Sequence, residues 1–176
     1  MPHDNSSEPI WSVGLMTGTV LDGNIDVALL RTDGDTIERF GAYTLAPYPQ
    51  SIRDTLEDTL NQARVWNFEG PEPAIFAAAE EALTRAQSAA VLDLVEQAGL
   101  TPAEIGIIGF HGQSVLHRAP QPGRIGATRQ LGNGALMREL TGIRTAYDFR
   151  SADVRAGGQG APLAALYHRA LLRLLD

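Results

Sequence analysis

Residues Ile10 to Arg31 read IWSVGLMTGTVLDGNIDVALLR, and this stretch decides how the fold begins. Apolar residues gather in Ile10 to Met16 and again in Ile25 to Arg31, while Thr17 to Asn24 between them are rich in Gly, Thr and Asp. Two strands around a tight polar loop are expected. In that loop Gly18 and Gly23 allow the backbone to approach a ligand closely. Its successive N–H groups suit phosphate oxygens, Thr19 adds a hydroxyl donor, and Asp22 or Asp26 suits a magnesium ion. The loop has neither the Gly-x-x-x-x-Gly-Lys-Ser/Thr spacing of a P-loop nor the Gly-x-Gly-x-x-Gly of a dinucleotide fold. An ordinary Asp-Gly turn is the competing explanation.

Outward from the hairpin, Asp33-Gly34-Asp35 predicts a turn, and Thr36 to Leu45 alternates apolar and polar residues as a third antiparallel strand would. Beyond Pro47 and Pro49 the periodicity becomes helical over Ser51 to Gln62 and over the alanine-rich Pro73 to Ala98, which Gly99 stops. Thr101-Pro102-Ala103-Glu104 has a capping residue, a first-turn proline and a returning Glu, and introduces a short turn. Ile105 to Phe110 is a continuous apolar run, expected as a strand buried on both faces that ends directly on His111. Further strands are expected at Arg129 to Leu131 and Arg144 to Tyr147, and helices at Ala135 to Thr141 and Leu163 to Leu174. His117, Arg118 and Arg124 fall in a Pro- and Gly-containing stretch read as a surface loop. A strand meander followed by alternating helices and strands predicts an α/β fold with a mixed sheet.

Composition narrows the function. The 176 residues are 44% hydrophobic and 20% charged, which fits one domain with a sizeable core. A net charge of -7 argues against nucleic acid and anionic membranes as partners. It leaves room for a single phosphate bound by backbone N–H groups and a metal. There is no cysteine, so disulfides and thiol chemistry are excluded. Met1 to Ile10 is polar, unlike a secretory signal, and no apolar run approaches a membrane span, so a cytoplasmic location is expected.

Three further segments stand at strand ends or in loops: His111-Gly112-Gln113-Ser114, Asp148-Phe149-Arg150-Ser151-Ala152-Asp153-Val154 and Gly157-Gly158-Gln159-Gly160-Ala161-Pro162-Leu163. With Gly14-Leu15-Met16-Thr17-Gly18-Thr19-Val20-Leu21-Asp22-Gly23 they resemble, in the same order, the signatures of the anhydro-N-acetylmuramic acid kinase family. The resemblance implies an actin-like, hexokinase-like ATPase fold of two ribonuclease-H-like domains. Residues 1–176 would then be the first domain, with 1–10 a flexible N-terminus and the second domain absent. It also implies ATP and Mg2+ as cofactors and cell-wall recycling as the setting. ATP would phosphorylate O6 of 1,6-anhydro-N-acetylmuramic acid while water opens the anhydro bridge.

Carried onto this sequence, the nucleotide-facing residues are Gly18, Thr19, Val20, Leu21, Asp22, Gly23, Asn24, Ile25 and Asp26, with Asp22 as the metal ligand. Val20 stands where the family usually has Ser, which removes a hydroxyl contact worth about 1 kcal/mol. Asn24 is an apparent addition to the usual loop. The sugar-facing residues are His111, Gln113, Asp148, Arg150, Gly158 and Gln159. The guanidinium of Arg150 suits the lactyl carboxylate, with an internal pair to Asp148 or Asp153 as the alternative. His111 suits sugar hydroxyls or a satisfied core position, and Gln113 suits the sugar or the bracing of nearby backbone. The family's Asp-Thr-Gly-Pro-Gly-Asn segment, whose Asp resembles the water-activating base, does not occur, so the base is expected beyond Asp176 and Asp148 is the weaker candidate. The competing expectations are a noncatalytic sugar-binding half that works with a homodimer partner or a complementary C-terminal half, and an inactive truncated product.

Overall fold

The computed structural model describes residues 8–17 and 22–175. The hairpin forms as expected: β1 (Ile10–Thr17) pairs antiparallel with β2 (Asn24–Thr32), and β2 with β3 (Ile37–Pro47). β1 begins at Ile10, the last residue of the segment expected to be a flexible N-terminus. Asp33 builds the β2–β3 turn by accepting from the N–H of Asp35 at 2.8 Å and of Thr36 at 2.6 Å. β4 (Ile105–Phe110) and β7 (Thr145–Tyr147) then add parallel strands, giving a mixed five-stranded sheet in the order β3-β2-β1-β4-β7. Three antiparallel strands continued by parallel ones, flanked by helices, make the α/β arrangement that the resemblance implied.

The two predicted helices, α1 (Gln50–Trp66) and α2 (Ile75–Gln97), supply most of the helical side of the core. α2 buries Phe76, Ala79, Leu83, Ala90, Val91 and Leu94, a three-to-four-residue spacing that keeps one stripe toward the sheet. Those side chains meet Val13, Leu15, Ile25, Val27, Ile108 and Phe110. Phe76 also packs edge-on against Trp66, with ring centroids 5.5 Å apart. Burying Phe76 contributes about 2–3 kcal/mol. Gly99 ends α2 with φ +70, and Thr101 to Glu104 form the predicted capping box, Glu104 accepting from the Thr101 N–H at 2.8 Å.

Several local expectations need correcting. Gln113–Arg118 is a strand, β5, which pairs antiparallel with β6 (Ala127–Leu131) in a separate two-stranded sheet. His117 and Arg118 therefore lie on a ladder and not in a loop. Ser151–Arg155 is a short helix, α4, inside a segment read as loop. β4 is buried at Ile105, Ile108 and Phe110 but only half-buried at Ile107 and Gly109, because the second sheet face carries less cover than the first. There α5 (Ala164–Leu172) borders a groove with Tyr167 against Gly14, Ala28, Phe40 and Gly109. Arg169 and Arg173 hold α5 to the β2–β3 turn through Asp35, whose carboxyl they keep below its ordinary value. α3 (Gly134–Thr141) forms where expected, and Asn133 caps it by accepting from the Leu136 N–H at 2.9 Å. No described helix is long and apolar enough to cross a membrane.

Candidate functional site

β1, β4 and β7 run parallel, so Thr17, Phe110 and Tyr147 end at one edge of the sheet. Of the four quoted segments, the first runs off the end of β1 and those starting at His111 and Asp148 follow β4 and β7 directly, and ligands of open α/β sheets bind outside the carboxyl ends of such strands. A direct contact joins the first two motifs, because the buried Thr17 hydroxyl donates to the Gly112 carbonyl at 3.2 Å. Gly18, Thr19, Val20 and Leu21 lie outside the described residues. Of the rest of that loop, Asp22 is exposed and accepts from the Asn24 N–H at 3.0 Å. Gly23 has φ +90 and its carbonyl accepts from the Tyr48 N–H at 3.0 Å. Ile25 is buried in the core and Asp26 is half-buried on β2. Asp22 is thus presented to solvent just ahead of β2. Among the described residues, no group of three or more His or acidic side chains is placed to hold a metal.

After β4 the chain turns sharply at Gly112, whose φ is +67. A Cβ there would meet the Leu131 carbonyl oxygen at 2.1 Å, so the turn admits only glycine. That turn presents His111, whose Nδ1 lies 2.8 Å from the Gly112 carbonyl. Burial pushes the imidazole below its ordinary pKa of 6.5; the Gly112 carbonyl opposes this shift and the nearby Arg150 charge adds to it. After β7, Asp148 adopts a left-handed φ of +55, uncommon outside glycine, and accepts from the Ser151 hydroxyl at 2.5 Å. This kink sends Phe149 and Arg150 back toward His111.

Arg150 makes neither of the internal ion pairs considered from sequence. It donates from Nη1 to the Gly160 carbonyl at 2.6 Å and from Nη2 to His111 Nε2 at 3.0 Å. Asp153 is occupied elsewhere, accepting from the Gly160 N–H at 2.6 Å. Its carboxylate fills the space a side chain at Gly158 would need, 2.3 Å from the position of a Cβ. The glycine loop is therefore wrapped around Asp153, and its Gly160 peptide links that carboxylate to Arg150.

One cleft is lined by His111 and Arg150 themselves, and a second reaches His111 only through Gln130. The first, of about 170 Å³, is apolar and lined by Phe149, Ala161, Pro162 and Leu163 beside His111 and Arg150. The other, of about 430 Å³, is polar and lined by Thr128, Gln130, Asn133, Tyr147, Asp148 and Ser151. His111 and Arg150 thus come together at the apolar cleft, while Asp148 lines the polar one. Gln113 is fully buried, donates to the Ser114 carbonyl at 3.3 Å and lines neither cleft. Gly158 and Gln159 also stay outside both linings, Gln159 on the exposed side of its loop.

Sequence reading missed Thr128, Gln130 and Tyr147. Gln130 is only 9% exposed and donates from Nε2 to the His111 carbonyl at 3.0 Å. The available signal was the two-residue alternation of Thr128 and Gln130 on a short strand. Arg129 between them also borders the polar cleft, ion-paired to Glu72 at 2.7 Å and Glu80 at 3.1 Å, and these acids hold its pKa up against burial. Glu80 also accepts from the Gly132 N–H at 3.0 Å, fixing the end of β6 against α2.

Comparison with known proteins identifies the family. Residues 11–176 match the model of the family described as anhydro-N-acetylmuramic acid kinase. The chain is 73% identical to the anhydro-N-acetylmuramic acid kinase of Brucella anthropi over 169 residues, covering 96% of this chain and 46% of the relative. It is 75% identical to the Rhizobium rhizogenes protein of the same name over 166 residues, 94% of this chain and 45% of the relative. With anhydro-N-acetylmuramic acid kinase 2 of Jannaschia sp. it shares 62% over 176 residues, 100% of this chain and 46% of the relative. The chain thus spans just under half the length of these curated relatives, and it belongs to the anhydro-N-acetylmuramic acid kinase family.

Proposed function

We propose that this chain is the N-terminal domain, and the sugar-facing half, of a cytoplasmic kinase of peptidoglycan recycling. In the proposed reaction O6 of 1,6-anhydro-N-acetylmuramic acid takes the terminal phosphoryl group of ATP, water adds at C1 as the C1–O6 bond breaks, and N-acetylmuramic acid 6-phosphate and ADP leave. The observation that supports this reading best is the meeting of three motifs at the carboxyl ends of β1, β4 and β7, with Thr17 touching Gly112 between two of them.

In this reading Arg150 receives the lactyl carboxylate, since it is a half-buried cation without an ion pair among the described residues and its Nε has no hydrogen-bond partner. The polar cleft with Asp148 takes ring hydroxyls, and His111 holds Arg150 at the apolar one. Gln113, Gly158 and Gln159 shape the two loops around the sugar. Residues 18–26 face the nucleotide, with Asp22 the ligand of a magnesium ion that would neutralise phosphate charge. The water-activating base comes from outside this chain, with Asp148 the candidate inside it.

Coverage of only 46% of the Brucella anthropi relative favours a chain that binds sugar but completes its catalytic site with further sequence, from a complementary C-terminal half or a second copy. Calorimetry of residues 1–176 with the anhydro sugar, beside a phosphoryl-transfer assay with magnesium-ATP, tests this. Sugar binding without turnover, and turnover restored by the remaining portion of that relative, is the expected result. Absence of sugar binding would overturn it.

A further inference from the structure

His111 has one partner on each ring nitrogen, and the two partners demand opposite things of it. The Gly112 carbonyl, 2.8 Å from Nδ1, can only accept, so Nδ1 carries a proton. The Arg150 guanidinium, 3.0 Å from Nε2, can only donate, so Nε2 must present its lone pair. The Gln130 amide nitrogen, 3.4 Å from Nε2 and already donating to the His111 carbonyl, reinforces this. One proton is therefore specified, together with its position.

We infer that His111 is a positioning residue, a neutral imidazole locked as the Nδ1–H tautomer whose Nε2 holds the Arg150 guanidinium at the apolar cleft. The inference rests on the proposed sugar-site reading, because it explains how the anion receptor of that site is held. The second anchor is the Gly160 carbonyl, so Arg150 is fixed from two sides by neutral acceptors. A carboxylate in either place would neutralise the guanidinium internally, whereas neutral acceptors orient it and leave its charge for an incoming anion. A second proton on His111 would set N–H against N–H and two cations 3.0 Å apart, which releases Arg150.

The other charged or titratable groups around this contact are Asp148 at the end of β7, Asp153 of α4 through Gly160, His117 of β5 beside Gly160, and Arg129 of β6 with Glu80 of α2 along the polar cleft. Glu80 and Arg129 pair with each other and Asp153 is held by the Gly160 N–H, so His111 is the group whose protonation acts directly on Arg150.

The test has two arms on residues 1–176. Long-range proton–nitrogen NMR reads the His111 tautomer without any ligand, and the Arg150 side-chain resonances report whether guanidinium rotation is restricted. A neutral Nδ1–H ring at pH 7 and an Arg150 fork slowed in the wild type and in His111→Gln but free in His111→Leu are expected. An Nε2–H ring, an imidazolium, or an unchanged fork in folded His111→Leu overturns the inference. Calorimetry then compares the anhydro sugar acid with its carboxyl-reduced alcohol. Preference for the acid should fall about ten-fold in His111→Leu, persist in His111→Gln, and weaken in the wild type only as the pH drops beneath the ordinary imidazole range, since burial lowers the His111 pKa. Equal preference in all three proteins contradicts the inference. Failure of the wild type to bind either sugar would sink the sugar-site reading alone, leaving the NMR arm to decide the role of His111.

Discussion

Between α2 and the sheet, Phe76, Leu83, Val91 and Leu94 are at most 1% exposed and find their packing partners within the chain. Beyond the carboxyl ends of the same sheet, on β5, β6 and the turn after β7, Gln113 Oε1, Ser114 Oγ, Thr128 Oγ1, Gln130 Oε1 and Arg150 Nε are shielded from solvent and have no hydrogen-bond partner among the described residues. The first region completes its own interactions, as an interior does when it only has to be stable. The second keeps polar capacity in reserve at a cost in stability, as binding sites do. Gln87 breaks the pattern, for its amide sits inside the helical core with both atoms unpartnered.

The sharpest way to separate the two regions is to damage one and look at the other. Phe76→Ala, which leaves a cavity beside Trp66, should cost about 3–5 kcal/mol in urea unfolding while the His111 tautomer is retained in the folded fraction. Glu80→Gln strikes the seam between them. It weakens the pairing with Arg129 and the acceptor for the Gly132 N–H, and should cost about 1–3 kcal/mol with the end of β6 losing hydrogen-exchange protection. The smallest effect concerns the exception: Gln87→Met removes two unpaired polar atoms at similar volume and should stabilise by about 1 kcal/mol, read as a higher urea midpoint at unchanged slope. Destabilisation by Gln87→Met would mean that Gln87 is satisfied by buried water and belongs with the polar edge.

Much of the core was legible because its signals are local. The two apolar clusters around a polar loop in Ile10 to Arg31 and the helical periodicity of α2 each reveal their element without knowledge of neighbours. β5 was not legible, since Gln113-Ser114-Val115-Leu116-His117-Arg118 mixes polar residues and becomes a strand by pairing with β6 across a Pro- and Gly-containing connection. α4, five residues long, is too short for periodicity to show. At the site, sequence located His111, Asp148 and Arg150 but not their contacts, because the His111–Arg150 bond joins residues 39 apart and the Gln130–His111 bond residues 19 apart. The choice of His111 over Asp148 or Asp153 as the partner of Arg150 follows from the Gly160 peptide and the left-handed turn at Asp148, neither of which composition encodes.

The contrast between a finished core and an unfinished edge is tested most directly by mapping amide shifts of residues 1–176 during titration with 1,6-anhydro-N-acetylmuramic acid. Saturable changes are expected at 111–114, 127–131 and 148–163, with α1 and the buried stripe of α2 unmoved. Saturable changes centred on the α1–α2 layer, or none at the β4 and β7 edge while calorimetry registers binding, would contradict it.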